Sequence, residues 1–299
     1  MNTRAKARFG VKLVIGLVLI GLAIGLTGLY RGGANFVAAR NGDRAPLDPD
    51  TGTPFRFECG DIAIDTWVVA PEGDAAPGAV DTAIVLHGKA DHKGSMLGLG
   101  QRFARDGVRA VLVDLRGHGR SSAVPITYGA RERHDLSCML DGFERRGVDL
   151  GEIGVYGASY GGAVALQFAG HEPRVARVVA VAAFRSFDAI GRSMIELPSP
   201  LQSAVIASAG FAGGFDPDDA SPEAIIGETH ADVVLVYGRD DEIVPFAHGE
   251  AVASECGDRC RLVVYEGRSH LQMLSNAPLR DLLHRHLAAR PFPPVTESP

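Results

Sequence analysis

Gly157-Ala158-Ser159-Tyr160-Gly161 constrains this chain more than any other stretch. It lies between an apolar run, Ile153-Gly154-Val155-Tyr156, and a helix-like run from Gly162 to Ala169. A serine between glycines at a strand-to-helix junction reads as a sharp turn that lifts its hydroxyl clear of a sheet. Glycine on either side removes the Cβ atoms that would strike the neighbouring strand and helix. Five residues of this kind also arise by chance, so their weight depends on the rest of the chain.

That remainder alternates. Short apolar runs at Thr82–Leu86, Ala110–Val113, Ile153–Tyr156, Val175–Ala182, Val233–Tyr237 and Leu262–Tyr265 are separated by helical patterns. One such pattern ends near Asp106-Gly107 and another runs near Arg131 to Arg146. Two strands precede them, from Phe55 and over Ile62, Ile64 and Trp67-Val68-Val69. Near-continuous apolar strands alternating with helices predict an α/β fold, a mostly parallel central sheet covered on both faces. Functional loops then gather at the carboxyl ends of the strands. Residues 54–290 are assigned to this one domain. Residues 187–226 are too long for a simple crossover and read as a small lid, the alternative being a crossover helix with a long loop. Phe211 and Phe215 lie in that segment, available to line an acyl pocket or to pack the lid down. The proline-rich end, 291–299, is expected to be disordered.

The N-terminus differs in kind. Arg4, Lys6, Arg8 and Lys12 precede or enter an apolar run from Val11 to about Tyr30, and Leu13 to Leu29 carry no charge. Roughly 20 helical residues match a hydrocarbon core of about 30 Å. Residues 1–30 are therefore expected to be a membrane anchor with the body on the non-cytoplasmic side, as the basic bias directs. A cleaved signal peptide, cut near Val37-Ala38-Ala39, is the alternative. Residues 31–53 read as a linker. Net charge is −6 and the body has no basic stripe, which argues against nucleic acid as a partner. An exported body would meet oxidising conditions. Cys256 and Cys260 then either bridge or remain separate thiols, while Cys59 and Cys138 carry no pairing signal. No cysteine-histidine spacing suits zinc, so neither metal nor cofactor is expected.

A serine nucleophile needs a base, and the base needs an orienting acid. Gly238-Arg239-Asp240-Asp241-Glu242-Ile243-Val244-Pro245 follows one predicted strand, and Glu266-Gly267-Arg268-Ser269-His270 follows the next. With Leu86-His87-Gly88, Asp114-Leu115-Arg116-Gly117-His118-Gly119 and the serine turn, these stretches resemble the α/β-hydrolase superfamily. The resemblance covers about residues 80–275. The chain is similar to serine hydrolases of the lysophospholipase and monoacylglycerol lipase-like group, and more so to its small-lid, membrane-anchored relatives. The resemblance implies Ser159 as nucleophile, His270 as base and then acid, and Asp241 as the orienting acid. Asp240 is the neighbour to test, since adjacent side chains point apart. It implies backbone N–H donors for an oxyanion from Tyr160 and Lys89. The Lys89 side chain is expected to face solvent, the alternative being that it favours an anionic substrate. His87 is expected to be structural, as are Arg116 and His118, for which substrate contact is the alternative. The other histidines are read as surface or packing residues. The expected function is a serine hydrolase cleaving a small-molecule acyl ester or thioester. A peptidase or acyltransferase on the same residues, or a non-catalytic binding protein, are the alternatives.

Overall fold

The computed structural model describes residues 3–41, 52–275 and 286–288, with side chains from Val18 onward. In chain order the elements are α1 (Thr3–Val37), β1 (Arg40–Asn41), β2 (Thr53–Cys59), β3 (Ile62–Val69), β4 (Thr82–Leu86), α2 (Leu97–Arg105) and β5 (Arg109–Asp114). They continue with β6 (His118–Gly119), α3 (Glu132–Arg145), β7 (Ile153–Ala158), α4 (Tyr160–His171), β8 (Val175–Val181), α5 (Phe187–Met194), α6 (Ser199–Gly213) and α7 (Pro222–Ile225). Then come β9 (Asp232–Gly238), α8 (Ala247–Cys256), β10 (Cys260–Tyr265) and α9 (His270–Ser275).

Eight strands form one sheet in the order β10-β9-β8-β7-β4-β5-β3-β2. The pairings from β10 to β5 are parallel, while β3 runs antiparallel to both β5 and β2. Alternation along each strand sends side chains to two separate cores. On β4, Ile84 and Leu86 face the core built with α3 and α4, through Leu136, Met139, Phe143, Val164 and Phe168. Ala83 and Val85 face the other core, built with α2 and α9 through Leu99, Phe103 and Met273. The chain leaves β4 for β5 on one side and returns to β7 on the other. That reversal opens a crevice at the carboxyl ends of β4 and β7, where ligands bind in such sheets.

Between β8 and β9 stand α5, α6 and α7, in the segment expected to form a lid. Ser186 Oγ accepts from the Ala189 N–H (3.2 Å) and starts α5. The Phe187 N–H donates to the Ala220 carbonyl at 2.8 Å, closing the segment on itself. Its aromatics divide: Phe215 packs on Phe187 with centroids 5.6 Å apart, whereas Phe211 is 81% exposed.

The N-terminal region departs from the expected anchor and linker. Helix α1 does not stop at Tyr30 but continues to Val37, and its last turns pack on α6. β1 then pairs in parallel with β6, and Asn41 Nδ2 donates to the Gly119 and Ser121 carbonyls at 3.0 and 2.8 Å. The start of the expected linker is thus built into the fold; residues 42–51 and the expected tail, 291–299, lie outside the described residues. Among the described residues no helix is long and apolar enough to cross a membrane.

All four cysteines are paired. Cys256–Cys260 joins the end of α8 to β10, and Cys59–Cys138 ties β2 to α3 with Cα atoms 5.9 Å apart. The second bridge closes a loop of 79 residues in sequence separation. Chain-entropy arguments assign such a loop about 4.5 kcal/mol. Cys138→Ser is expected to lower the unfolding free energy by about 2–5 kcal/mol, measured by urea unfolding without reductant. An unchanged midpoint would mean that β2 and α3 are held by packing alone.

Candidate active site

Ser159 joins β7 to α4 with φ 53° and ψ −115°, a conformation that side chains seldom adopt. Packing around the turn imposes it. A Cβ on Gly157 would run into the Gly161 carbonyl, and one on Gly161 would lie 2.5 Å from the His87 carbonyl oxygen. Only glycine permits β4, β7 and α4 to converge this closely. The result is a partly exposed serine on top of an otherwise buried junction.

Ser159, Asp241 and His270 come together from the ends of three strands. His270 Nε2 lies 3.1 Å from Ser159 Oγ, and His270 Nδ1 lies 2.7 Å from Asp241 Oδ2. The remaining carboxylate oxygen, Asp241 Oδ1, accepts from the N–H groups of Ile243 and Val244 at 2.9 and 2.7 Å. Asp241 and His270 are buried, while Asp240 is exposed, so the sheet-end turn sends the two aspartates to opposite sides. With Asp241 accepting at Nδ1, the imidazole keeps Nε2 as an acceptor toward the serine.

Tyr160 opens α4, and its backbone N–H therefore belongs to the helix's first turn, where no intrahelical acceptor exists. Lys89 follows β4, whose Leu86 pairs in register with Gly157. The two amides expected to hold an oxyanion thus stem from adjacent strands at the same end of the sheet. The Lys89 side chain does not face solvent as expected. Its ammonium donates to Tyr128 Oη at 2.5 Å and lies over the Phe36 and Tyr128 rings, 5.3 and 5.0 Å from their centroids. Burial, with the nearby Arg40 charge second, pushes the amine down to about 8. The aromatic surface and the α1 terminus draw the chain inward; neither is legible from a lysine after His-Gly.

His87, Arg116 and His118 are each held by hydrogen bonds near the Ser159 turn. Arg116 grips Asp135 with two bonds of 2.6 Å. His118 Nδ1 bonds the Arg116 carbonyl at 2.9 Å, and its ring packs on Tyr160. His87 Nε2 accepts from the Leu115 N–H at 3.2 Å, and burial followed by the neighbouring His118 pushes its pKa down to about 4. The sign of the linkage follows. Between about pH 6.5 and 4 the unfolded chain binds a proton at this histidine that the folded chain refuses, so this contribution is complete above 6.5 and is lost as pH falls toward 4. It amounts to roughly 3 kcal/mol. Urea unfolding at about pH 7 and pH 4.5 is expected to record that loss, and His87→Gln to diminish it. A pH dependence unaltered by the substitution would contradict a neutral buried His87.

Three supports were not read from sequence. Buried Glu132 accepts from Thr127 N–H, Thr127 Oγ1, Gly129 N–H and Tyr160 Oη at 2.6–2.8 Å, holding the residue after Ser159. Lys93 Nζ bridges Asp65 and Asp114 at 2.5 Å each, and Asp114 also accepts from the Arg120 N–H. Tyr128 packs between Tyr160 and the lid's Phe187, at 5.6 and 4.4 Å. Only the loop glycines and turn residues hinted at these; the partners are 21 or more residues distant or lie in loops without periodicity. Among the described residues no group of three or more metal-ligating side chains assembles.

The strand order, the mostly parallel sheet covered on both faces and the turn at Ser159 define an α/β-hydrolase fold. A family model described as serine aminopeptidase, S33, matches residues 79–226. An uncharacterised Bacillus subtilis protein, YqkD, is 26% identical over 197 residues, 64% of this chain and 65% of that protein, so the match spans just under two thirds of its length. The structure is similar to a Pyrococcus furiosus esterase, with TM-score 0.63 and 19% identity, covering 81% of this chain and 92% of that one. It is also similar to Pyrococcus horikoshii acylaminoacyl peptidase, with TM-score 0.61 and 16% identity, covering 80% of this chain and 42% of that one. At these identities the solved structures speak to the fold alone.

Proposed function

We propose that the protein is a serine hydrolase that cleaves a carboxylic ester or thioester through an acyl-enzyme. One observation carries this reading: the hydrogen-bonded series from Ser159 Oγ through His270 to Asp241. His270 Nε2 takes the hydroxyl proton as Oγ bonds to the substrate carbonyl carbon. The carbonyl π electrons move to oxygen, where the Tyr160 and Lys89 amides receive the negative charge. The C–O or C–S bond then breaks as His270 gives its proton to the leaving group. Water, deprotonated by His270, attacks the acyl-enzyme and releases the acid, returning the proton to Ser159. Asp241 stabilises the imidazolium in both halves.

A peptidase reading draws on the serine aminopeptidase family match. The test is a panel of p-nitrophenyl esters, acyl-thioesters and aminoacyl amides, with Ser159→Ala as control. Turnover of esters at least about tenfold above amides is expected; the reverse order would replace this reading with a peptidase.

The body is assigned to the non-cytoplasmic side, held at a membrane by its N-terminal segment. The basic residues before the apolar run and the two disulfides support this assignment. A reporter active only in the cytoplasm, fused to the C-terminus, is expected to be silent, and a bright signal would reverse the orientation.

A further inference from the structure

Helix α1 is joined to the lid. Gly33 crosses α6 so closely that a Cβ would stand 2.5 Å from the Ala209 nitrogen and 2.6 Å from the Val205 carbonyl oxygen. Ser208 Oγ donates to the Leu29 carbonyl at 3.1 Å, and the Tyr30 ring meets Phe211 edge-on at 6.4 Å. Beyond this seam the described apolar side chains of α1 are exposed. Val18, Leu19, Ile20, Leu22, Ile24 and Leu26 are 58–68% exposed. At about 100° per residue they are spread round most of the cylinder. A second copy or a protein groove would cover one stripe of such a helix; an apolar solvent covers every side. The same apolar sequence continues upstream to Val11, preceded by Arg4, Lys6 and Arg8, with Lys12 just inside it. These charges complement anionic lipid headgroups. Phe211, 81% exposed on α6 beside Tyr30, extends the apolar surface from α1 onto the lid.

The inner end of α1 reaches the chemistry. The Phe36 ring lies 6.4 Å from Phe187 of α5, and the Phe36 carbonyl accepts from Tyr128 Oη at 2.9 Å. Tyr128 Oη in turn accepts from Lys89, whose amide is the proposed second oxyanion donor. One helix therefore contacts the lid along its flank and the oxyanion loop at its tip.

We propose that α1 and α6 form a single lipid-seated unit that turns the mouth of the site toward a bilayer, so that the substrate is an acyl ester held in that bilayer. The substrate class rests on the serine hydrolase reading above; the seating of α6 does not. α1 is then part of the site's architecture rather than a tether.

Two measurements on the full-length protein test this. Phe211→Trp is reconstituted into vesicles of phosphatidylcholine and phosphatidylglycerol, with and without brominated acyl chains, in the Ser159→Ala background. The introduced tryptophan is expected to be quenched by at least about a third, while native Trp67, buried in a core, is not. Absence of quenching overturns the seating whatever the enzyme does. In the second, Phe211→Asp is compared with wild type on a monoacylglycerol in the same vesicles and on water-soluble p-nitrophenyl acetate. The expected result is at least about a fivefold loss on the vesicle-borne ester with the soluble ester within about twofold. Equal effects on both substrates overturn the proposal. So does a shift from dimer to monomer in detergent with the vesicle rate unchanged, which assigns the surface to a second copy. Inactivity of wild type on both substrates, alongside quenching of the introduced tryptophan, would instead remove the hydrolase reading and leave the seating intact.

Discussion

Ser159→Ala is expected to lower kcat on the best ester of the panel by about a million-fold. In the proposed reaction the Ser159 hydroxyl, 3.1 Å from His270 Nε2, is the group that forms the acyl bond. Only the oxyanion donors and substrate binding remain, which sustain a small residual rate. The fold is expected to survive. Alanine at position 159 keeps the same Cβ in the same strained turn, and the turn's shape comes from Gly157 and Gly161. Unfolding free energy is therefore expected to change by less than about 1 kcal/mol. A variant that is folded and still turns over at more than about a hundredth of the wild-type rate would remove Ser159 from the reaction.

Asp241→Asn carries the second large effect, about ten-thousand-fold in kcat. Asp241 already spends Oδ1 on the Ile243 and Val244 N–H groups, so the group facing His270 is Oδ2. An asparagine that keeps its carbonyl on the two amides presents an NH2 to Nδ1. The imidazole then carries its proton on Nε2, pointing at Ser159, and no longer accepts the hydroxyl proton. Asp240→Asn is the paired control. Its side chain is exposed on the other side of the turn, and its rate is expected to stay within about twofold of wild type. Equal, mild losses in both variants would put the orienting acid elsewhere.

The placement of these residues was legible because it follows from local pattern. Apolar runs marked the parallel strands, and the loops at their carboxyl ends had to converge on one side of the sheet. Ser159, Asp241 and His270 each stand just past such a run. Asp241 was separable from Asp240 through the family resemblance and the opposed directions of adjacent side chains.

What sequence did not reveal depends on tertiary approach. Cys59 and Cys138 meet only because β2 and α3 pack side by side. Glu132 looks like an ordinary first-turn acid of α3 until Thr127, Gly129 and Tyr160 are found donating to it. Lys89 read as a solvated side chain because its partners, Tyr128 and Phe36, lie 39 residues downstream and in the N-terminal helix. The largest departure was at residues 31–41. Gly32, Gly33 and Asn35 gave a flexible composition, yet small residues also allow two helices to cross closely, and α6 uses them in that way. Composition alone does not separate a linker from a packing seam.

The central claim is that Ser159 is a nucleophile activated by His270. Reaction of the folded, full-length protein with a fluorophosphonate probe, followed by mapping of the labelled peptide, tests it most directly. Stoichiometric labelling on Ser159, lost in Ser159→Ala and reduced at least about a hundredfold in rate in His270→Ala, is the predicted result. A folded wild-type protein that takes up no probe, or takes it up at another residue, would contradict the account.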